Sequence, residues 1–423
     1  MKQILLIFSL SILALSCRAQ SAGNPKAKNT ILAGAERMQV YLPLIKGKRV
    51  GIFANQTSIV GQTHLVDTLR KAGVDIRVIF GPEHGFRGTA NAGEKVGNYT
   101  DEKTGIPVVS LYGSKRRPSA EDVKDVDVLI FDIQDVGVRF YTYISSLEEF
   151  MEAALELGKP LLLLDRPNPN GFYVDGPVLD KKYQSFVGRQ SVPIVYGMTI
   201  GEYAMLLAGE RWLSPKANAR YDYYRTAQNS TDTPFHFLVI KCGNYTHKSL
   251  YSLPVKPSPN LPDMTSIYLY PSTCLFEGTD LSEGRGTERP FQLFGHPDLP
   301  KTLKAFTPNP NDGSKSSKHF GKTCYGWDLG GSPEETLKKI NHQVQLKWLT
   351  EAYQLFPDKD KFFLLPKSGN MEESFFNKLA GNNELWQQVK AGKTEAEIRK
   401  SWEPALTEFK KIRRKYLLYE DFE

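Results

Sequence analysis

The apolar residues of this chain cluster into short unbroken runs, separated by segments whose apolar positions recur at helical spacing. Arg49 to Ala54, Ile76 to Phe80, Val126 to Phe131 and Leu161 to Leu164 are the clearest runs. Strands that exposed one face to water would alternate apolar and polar residues. Contiguous runs of this length instead suit a parallel sheet covered on both faces. The intervening segments carry helix signals. Thr63 to Ala72 ends at Gly73, and Ser146-Leu147-Glu148-Glu149 reads as a capping box ahead of Phe150, Met151, Ala154 and Leu155, with Gly158 as a stop. Thr199 and Glu202 repeat that device before Tyr203, Leu206 and Leu207. The pattern predicts an α/β architecture with a Rossmann-like parallel sheet over residues 28–210.

Beyond residue 210 the texture changes. Pro254, Pro257, Pro259 and Pro262 cannot belong to a central strand and predict an ordered loop. Ile267 to Phe276 reads as a strand. From Pro333 onward Leu337, Ile340, Val344, Trp348 and Tyr353 carry helical periodicity, and a further helix starts at Thr394 with Glu397. Residues 211–423 are therefore expected to form a smaller α+β domain. At the other end, Met1 and Lys2 precede an apolar run from Ile4 to Leu15, the pattern of a signal peptide over residues 1–19 and too short to span a bilayer. Two processing routes fit, cleavage after Ala19 or lipoprotein processing with a lipid anchor at Cys17. Both predict an exported protein, periplasmic or anchored to the outer membrane.

Each predicted strand runs into a polar, turn-rich segment. These are Asn55-Gln56-Thr57, the stretch from Gly81 through Glu83, His84 and Arg87 to Gly88, the stretch from Asp132 through Gln134, Asp135 and Arg139 to Tyr141, and Asp165-Arg166-Pro167-Asn168. In an open parallel sheet, ligands bind beyond the carboxyl ends of the strands, so these segments converge on one place. A second polar concentration runs from Glu277 to Phe291 and includes Arg285 and Glu288; Gly284 and Gly286 flank Arg285 and allow close contact with an anion. A lone Asp or Asn at a strand end more often makes an Asx turn or a helix cap, which makes Glu83 and Arg139 the more informative residues.

Several classes are disfavoured by what the sequence lacks. The first strand-to-helix turn, from Ala54 to Gly61, holds neither a GxGxxG fingerprint nor a P-loop, so no nucleotide cofactor is expected. A net charge of +7 with dispersed basic residues gives no nucleic-acid footprint. Cys242, Cys274 and Cys324 match no zinc or redox spacing, the histidines form no HExxH or HxH motif, and no metal is expected.

Carboxylates, amides, arginines and tyrosines without a phosphate cradle are the furniture of a sugar-processing site. Glycoside hydrolysis needs one carboxyl group to protonate the leaving oxygen, and a second carboxylate or a neighbouring group on the substrate to assist at the anomeric carbon. Glu83 is the first candidate for the acid, followed by Asp132, Asp135 and Glu288. Asn55, Gln56, His84, Arg87, Gln134, Arg139, Tyr141, Arg166, Asn168 and Arg285 are the candidate binding residues, with the arginines suited to a substrate carboxylate.

The segments GPEHGFRG, FDIQDVGVRFYTYISS, LDRPNPNG, KPSPNLP and STCLFEGTDLSEGRGTERPF together resemble the exo-β-N-acetylmuramidases of the NamZ type, also called YbbC-like proteins, over nearly the whole chain. The resemblance implies a cleft between the two domains, release of N-acetylmuramic acid (MurNAc) from the non-reducing end of peptidoglycan-derived saccharides such as MurNAc-GlcNAc, and Glu83 as the acid. It also leaves room for the 2-acetamido group of the substrate to attack the anomeric carbon, with a carboxylate or a tyrosine such as Tyr141 orienting it. Two other classes stay open: an exported muropeptide- or sugar-binding protein without turnover, and a cell-wall esterase, which the lack of a GxSxG elbow disfavours.

Overall fold

A computed structural model describes residues 30–83, 85–88, 97–226, 235–311 and 313–423. The signal-peptide segment with Cys17, and His84, lie outside the described residues. Among those described, no helix is long and apolar enough to cross a membrane.

The apolar runs pair as the pattern predicts. The main sheet has seven strands in the order Tyr99–Thr100, Pro107–Ser110, Asp75–Gly81, Arg49–Ala54, Val128–Asp132, Leu161–Leu164 and Phe237–Ile240. All neighbours are parallel except the edge pair Tyr99–Thr100 and Pro107–Ser110. Taken in chain order, the parallel strands follow the doubly wound arrangement of a Rossmann fold, whose switch point falls between Arg49–Ala54 and Val128–Asp132. The last strand, Phe237–Ile240, lies well past residue 210 in the sequence.

The period-two geometry of a strand sends alternate side chains to opposite faces, and both faces are packed. Phe53, Phe80, Leu129, Phe131, Leu161 and Leu163 meet the helix Tyr143–Glu156 on one side, where Phe150 lies 5.1 Å from Phe53 between ring centroids. Val50, Ile52, Ile79, Ile130, Leu162 and Leu164 face the helices Met38–Ile45 and Leu65–Lys71 on the other. The capping box at Thr199 and Glu202 forms, with both reciprocal hydrogen bonds, ahead of the helix Ile200–Gly209. That at Ser146 does not. Its helix starts one turn earlier, at Tyr143, and Ser146 is an interior residue whose N–H bonds to the carbonyl of Thr142.

The C-terminal part is α+β. A three-stranded antiparallel sheet places Cys324–Asp328 between Leu293–His296 and Lys304–Phe306, and helices follow from Pro333 to Arg414. One expectation fails here. Ile267 to Phe276 is not a strand but most of the helix Met264–Thr273 and the 3-10 turn Cys274–Gly278, started by the Asp263 carboxylate accepting from the Ser266 N–H. Every residue of that helix is buried, so it has no polar face and no amphipathic period for the sequence to display. The pattern from Leu337 to Tyr353 is two helices, broken where Asn341 takes a left-handed φ of 45°.

The chain then returns to the first domain. The Tyr419 hydroxyl donates to the Asp165 carboxylate at 2.5 Å, and the Leu418 N–H donates to Glu202 at 2.7 Å. The C-terminal tail thereby supplies partners for Asp165, buried just after the strand Leu161–Leu164, and for Glu202, buried in the first turn of the helix Ile200–Gly209.

Candidate active site

A cavity of about 430 Å³ lies between the two parts of the molecule. That volume is in the range of small-molecule sites. The sheet domain contributes Glu83, Tyr112, Arg116, Tyr141, Tyr143 and Phe186 to its wall, and the remainder contributes Asn260, Tyr270, Glu277, Arg285, Phe291 and Leu379 among others.

Glu83 stands two residues beyond the end of Asp75–Gly81. The turn that presents it closes with the Gly85 N–H bonded to the Pro82 carbonyl, and Gly85 has a left-handed φ of 74°. The Tyr112 hydroxyl donates to Glu83 Oε1 at 2.9 Å. Burial and the Glu83 charge push the Tyr112 hydroxyl up to about 12, so it remains a proton-bearing donor.

The switch point of the sheet positions the next wall. Asn55, immediately after the strand Arg49–Ala54, accepts from Thr57 through Oδ1 and donates through Nδ2 to the Tyr143 hydroxyl at 2.8 Å. Tyr143 packs edge-on against Tyr141 with centroids 4.8 Å apart, and the Tyr141 hydroxyl donates to the Pro257 carbonyl at 2.9 Å. Gln56 Nε2 donates to that same carbonyl at 3.0 Å. The proline-rich loop is thereby tied to the strand ends.

On the opposite wall Arg285 lies over the Phe291 ring, bonds Glu277 at 2.8 Å and pairs with Glu283 at 3.4 Å. Burial alone would raise the Glu283 carboxyl. Lys318, 2.9 Å away, and Arg285 outweigh it and hold the group below the usual carboxylate range.

Of the residues anticipated from sequence, Glu83, Tyr141 and Arg285 meet at the cavity. Asp132 and Arg166 are instead a fully buried ion pair, with contacts of 2.6 and 2.7 Å. Arg139 donates to the carbonyls of Pro177, Val192 and Leu379 at 2.7–2.8 Å and is completely enclosed. Neither guanidinium reaches the cavity, so the expectation that they meet a substrate carboxylate gives way to structural roles.

Gln134 bonds the carbonyls of Asp135 and Pro167, Asn168 bonds that of Met198, and Arg87 pairs with Asp101. Glu288 is exposed and outside the cavity lining. Asp135 is buried, with one oxygen accepting from the Gly137 N–H and the Tyr196 hydroxyl.

Sequence reasoning passed over Tyr112, Arg116, Tyr143 and Tyr270, and named Glu277 only as the start of a polar segment. Tyr112 follows a strand end just as Glu83 does. Its strand, Pro107–Ser110, begins at a proline and is too short to announce itself.

A two-part α/β fold with paired carboxylates, tyrosines and arginines around a sugar-sized cavity defines a candidate carbohydrate-processing protein, and comparison with known proteins makes the class specific. Residues 50–265 match the sequence model described as exo-beta-N-acetylmuramidase NamZ, N-terminal, and residues 268–419 match its C-terminal counterpart. The peptidoglycan beta-N-acetylmuramidase NamZ of Bacillus subtilis is 36% identical over 438 residues, covering 97% of this chain and 96% of that protein. Two crystal structures of DUF1343 family proteins from Bacteroides fragilis also match. One, at 43% identity, has a TM-score of 0.79 and covers 93% of this chain and 99% of its own. The other, at 27% identity, has a TM-score of 0.69 and covers 92% and 99%. The chain belongs to the NamZ family of exo-β-N-acetylmuramidases.

The burial of Asp135 has a measurable consequence. Desolvation raises its carboxyl to about 6, against the hydrogen bonds from Tyr196 and Gly137, while the unfolded chain has the ordinary value near 3.8. The folded state therefore holds the extra proton between these values. The stabilisation this brings is complete below the unfolded value and is lost as pH rises through about 6. Asp135→Asn removes that loss. Urea unfolding should show the variant gaining about 1–2 kcal/mol relative to wild type between pH 5 and pH 7.5; a difference that stays constant across this interval contradicts the assignment.

Proposed function

We propose that the cavity is the place where a terminal β-linked MurNAc is cut from peptidoglycan fragments, with Glu83 as the proton donor. The chain is an exo-acting glycoside hydrolase of cell-wall saccharides, in keeping with its family and with a relative named for that activity. The observation that carries the assignment of Glu83 is its place on the cavity wall with Tyr112 bonded to one carboxyl oxygen. A donor held by a hydrogen bond loses little freedom when the substrate arrives.

Glu277, held by Arg285 on the opposite wall, supplies negative charge where positive charge develops at the anomeric centre. Tyr141 and Tyr270 offer aromatic faces and edges to the sugar. A MurNAc residue differs from GlcNAc by a lactyl ether with a carboxylate, and a charge-selective contact must read it. Arg285 is already engaged by two glutamates. Arg116 lines the same cavity, stacked on the Phe186 ring at 4.0 Å, and forms no ion pair with a carboxylate among the described residues. It is the guanidinium we assign to the lactyl group. The charged and then apolar N-terminus supports export, with cleavage after Ala19 or acylation of Cys17.

Glu83→Gln retains size and hydrogen bonding but has no proton to give. Steady-state assays should show kcat on MurNAc-GlcNAc falling about 10²–10⁴-fold. The loss should be much smaller on a nitrophenyl β-MurNAc glycoside, whose leaving group needs little protonation. Near wild-type turnover of the disaccharide removes Glu83 from the mechanism.

Arg116→Met keeps the stacking chain and deletes the charge. For an exposed contact of about 1–2 kcal/mol, kcat/KM on nitrophenyl β-MurNAc should drop about 5–30-fold, with little change on the β-GlcNAc analogue. An equal proportional drop on both glycosides is the result that excludes Arg116 as the reader of the carboxylate.

A further inference from the structure

Outside the cavity, one cluster of donor side chains has no part in the chemistry above. From it we infer that Asp280, His296 and His319 form a binding site for one divalent transition metal ion, zinc being the best match to the donors. Asp280 follows the turn Cys274–Gly278 that carries Glu277, and its backbone is fixed by an N–H bond to the Phe362 carbonyl at 2.8 Å. His296 ends the strand Leu293–His296, and His319 comes from a separate turn more than twenty residues further along the chain. One ligand atom from each residue lies within 4.8 Å of the other two.

The edges of this triangle fit a metal. His296 Nε2 is 3.2 Å from one Asp280 carboxyl oxygen, and His319 Nε2 is 3.7 Å from the other. Zinc bonds of about 2.0–2.2 Å to nitrogen and oxygen place tetrahedral neighbours roughly 3.3–3.5 Å apart, so with the three ligand atoms within 4.8 Å of one another no edge needs to contract by more than about 1.5 Å. Two imidazoles and one carboxylate are the donor set of a three-ligand zinc site with a fourth position open to water. The ring of His296 is held in place, with the Asp298 N–H donating to Nδ1 at 3.1 Å and Phe356 packed on the ring at 4.9 Å.

The same side chains also support a plain hydrogen-bonded arrangement, in which His319 Nε2 donates to the Asp280 carbonyl at 2.5 Å. The two readings differ in what an added ion does. Lys318, next to His319, donates to the carbonyls of Phe276 and Thr279 and pairs with Glu283, the partner of Arg285. A metal at this cluster fastens that turn behind the cavity wall. Its effect is on the rigidity and stability of the wall, and the hydrolytic groups remain those on the cavity side.

The test uses the full-length chain, stripped with a chelator and dialysed, then titrated calorimetrically with zinc chloride and optically with cobalt(II). Saturable binding of one equivalent is expected, weakened about 100-fold or more in His319→Ala and Asp280→Asn. At free zinc one hundred times the Kd, the melting temperature of the wild-type protein should rise by about 3 °C or more and that of the variants should not. Hydrolysis by the stripped enzyme should persist at ordinary temperature. Should His319→Ala fail to fold, as judged by circular dichroism, His319→Gln takes its place. The absence of saturable binding of either ion, or equal affinity in wild type and variants, overturns the site.

Discussion

Arg139 lies in the loop after the strand Val128–Asp132, and its guanidinium donates to carbonyls of Pro177 and Val192 and, across the interior, to that of Leu379 in the C-terminal part. The charge is fully enclosed, and burial lowers its pKa to about 9, a sign of how unfavourable the location is without those acceptors. Space for it depends on Gly381, where a Cβ would come within 2.7 Å of Arg139 Nη2. The side chain of Leu379 lines the cavity. One of the three residues that satisfy the buried cation therefore also forms part of the site.

Around that anchor, hydrogen bonds and ion pairs fix the residues of the cavity wall. Asn55 holds Tyr143, Tyr112 holds Glu83, and Glu283 with Lys318 holds Arg285. Buried polar groups must be paired, and pairing them to one another leaves the cavity side to aromatic rings and to a few charged groups with fixed directions. A preorganised site of this kind needs no large closure to bring an acid to a glycosidic oxygen. The tail from Lys415 contributes as well, since the Tyr419 hydroxyl donates to Asp165 and the Leu418 N–H to Glu202.

How legible this was in the sequence depended on burial. Strands enclosed on both faces, such as Arg49–Ala54 and Leu161–Leu164, stand out as contiguous apolar runs. The helix Met264–Thr273 is enclosed on every side, and the same property hides it, because a fully buried helix and a buried strand look alike in hydropathy. Residue type revealed where charge gathers but not where it points. Arg139 and Arg166 sit in the right segments and turn inward, whereas Arg116 comes from a stretch that no strand signal marked and reaches the cavity. The cluster of Asp280, His296 and His319 draws on three separate segments, a spacing no motif describes.

The central claim is that a terminal MurNAc occupies the cavity between the two parts with its glycosidic oxygen at Glu83. A crystal structure of the Glu83→Gln variant with intact MurNAc-GlcNAc addresses it most directly. The account predicts the MurNAc ring inside the cavity, its glycosidic oxygen within about 3.2 Å of the side-chain amide at position 83 and its lactyl carboxylate at Arg116. Sugar density elsewhere on the molecule, or a bound disaccharide whose glycosidic oxygen faces away from position 83, contradicts it.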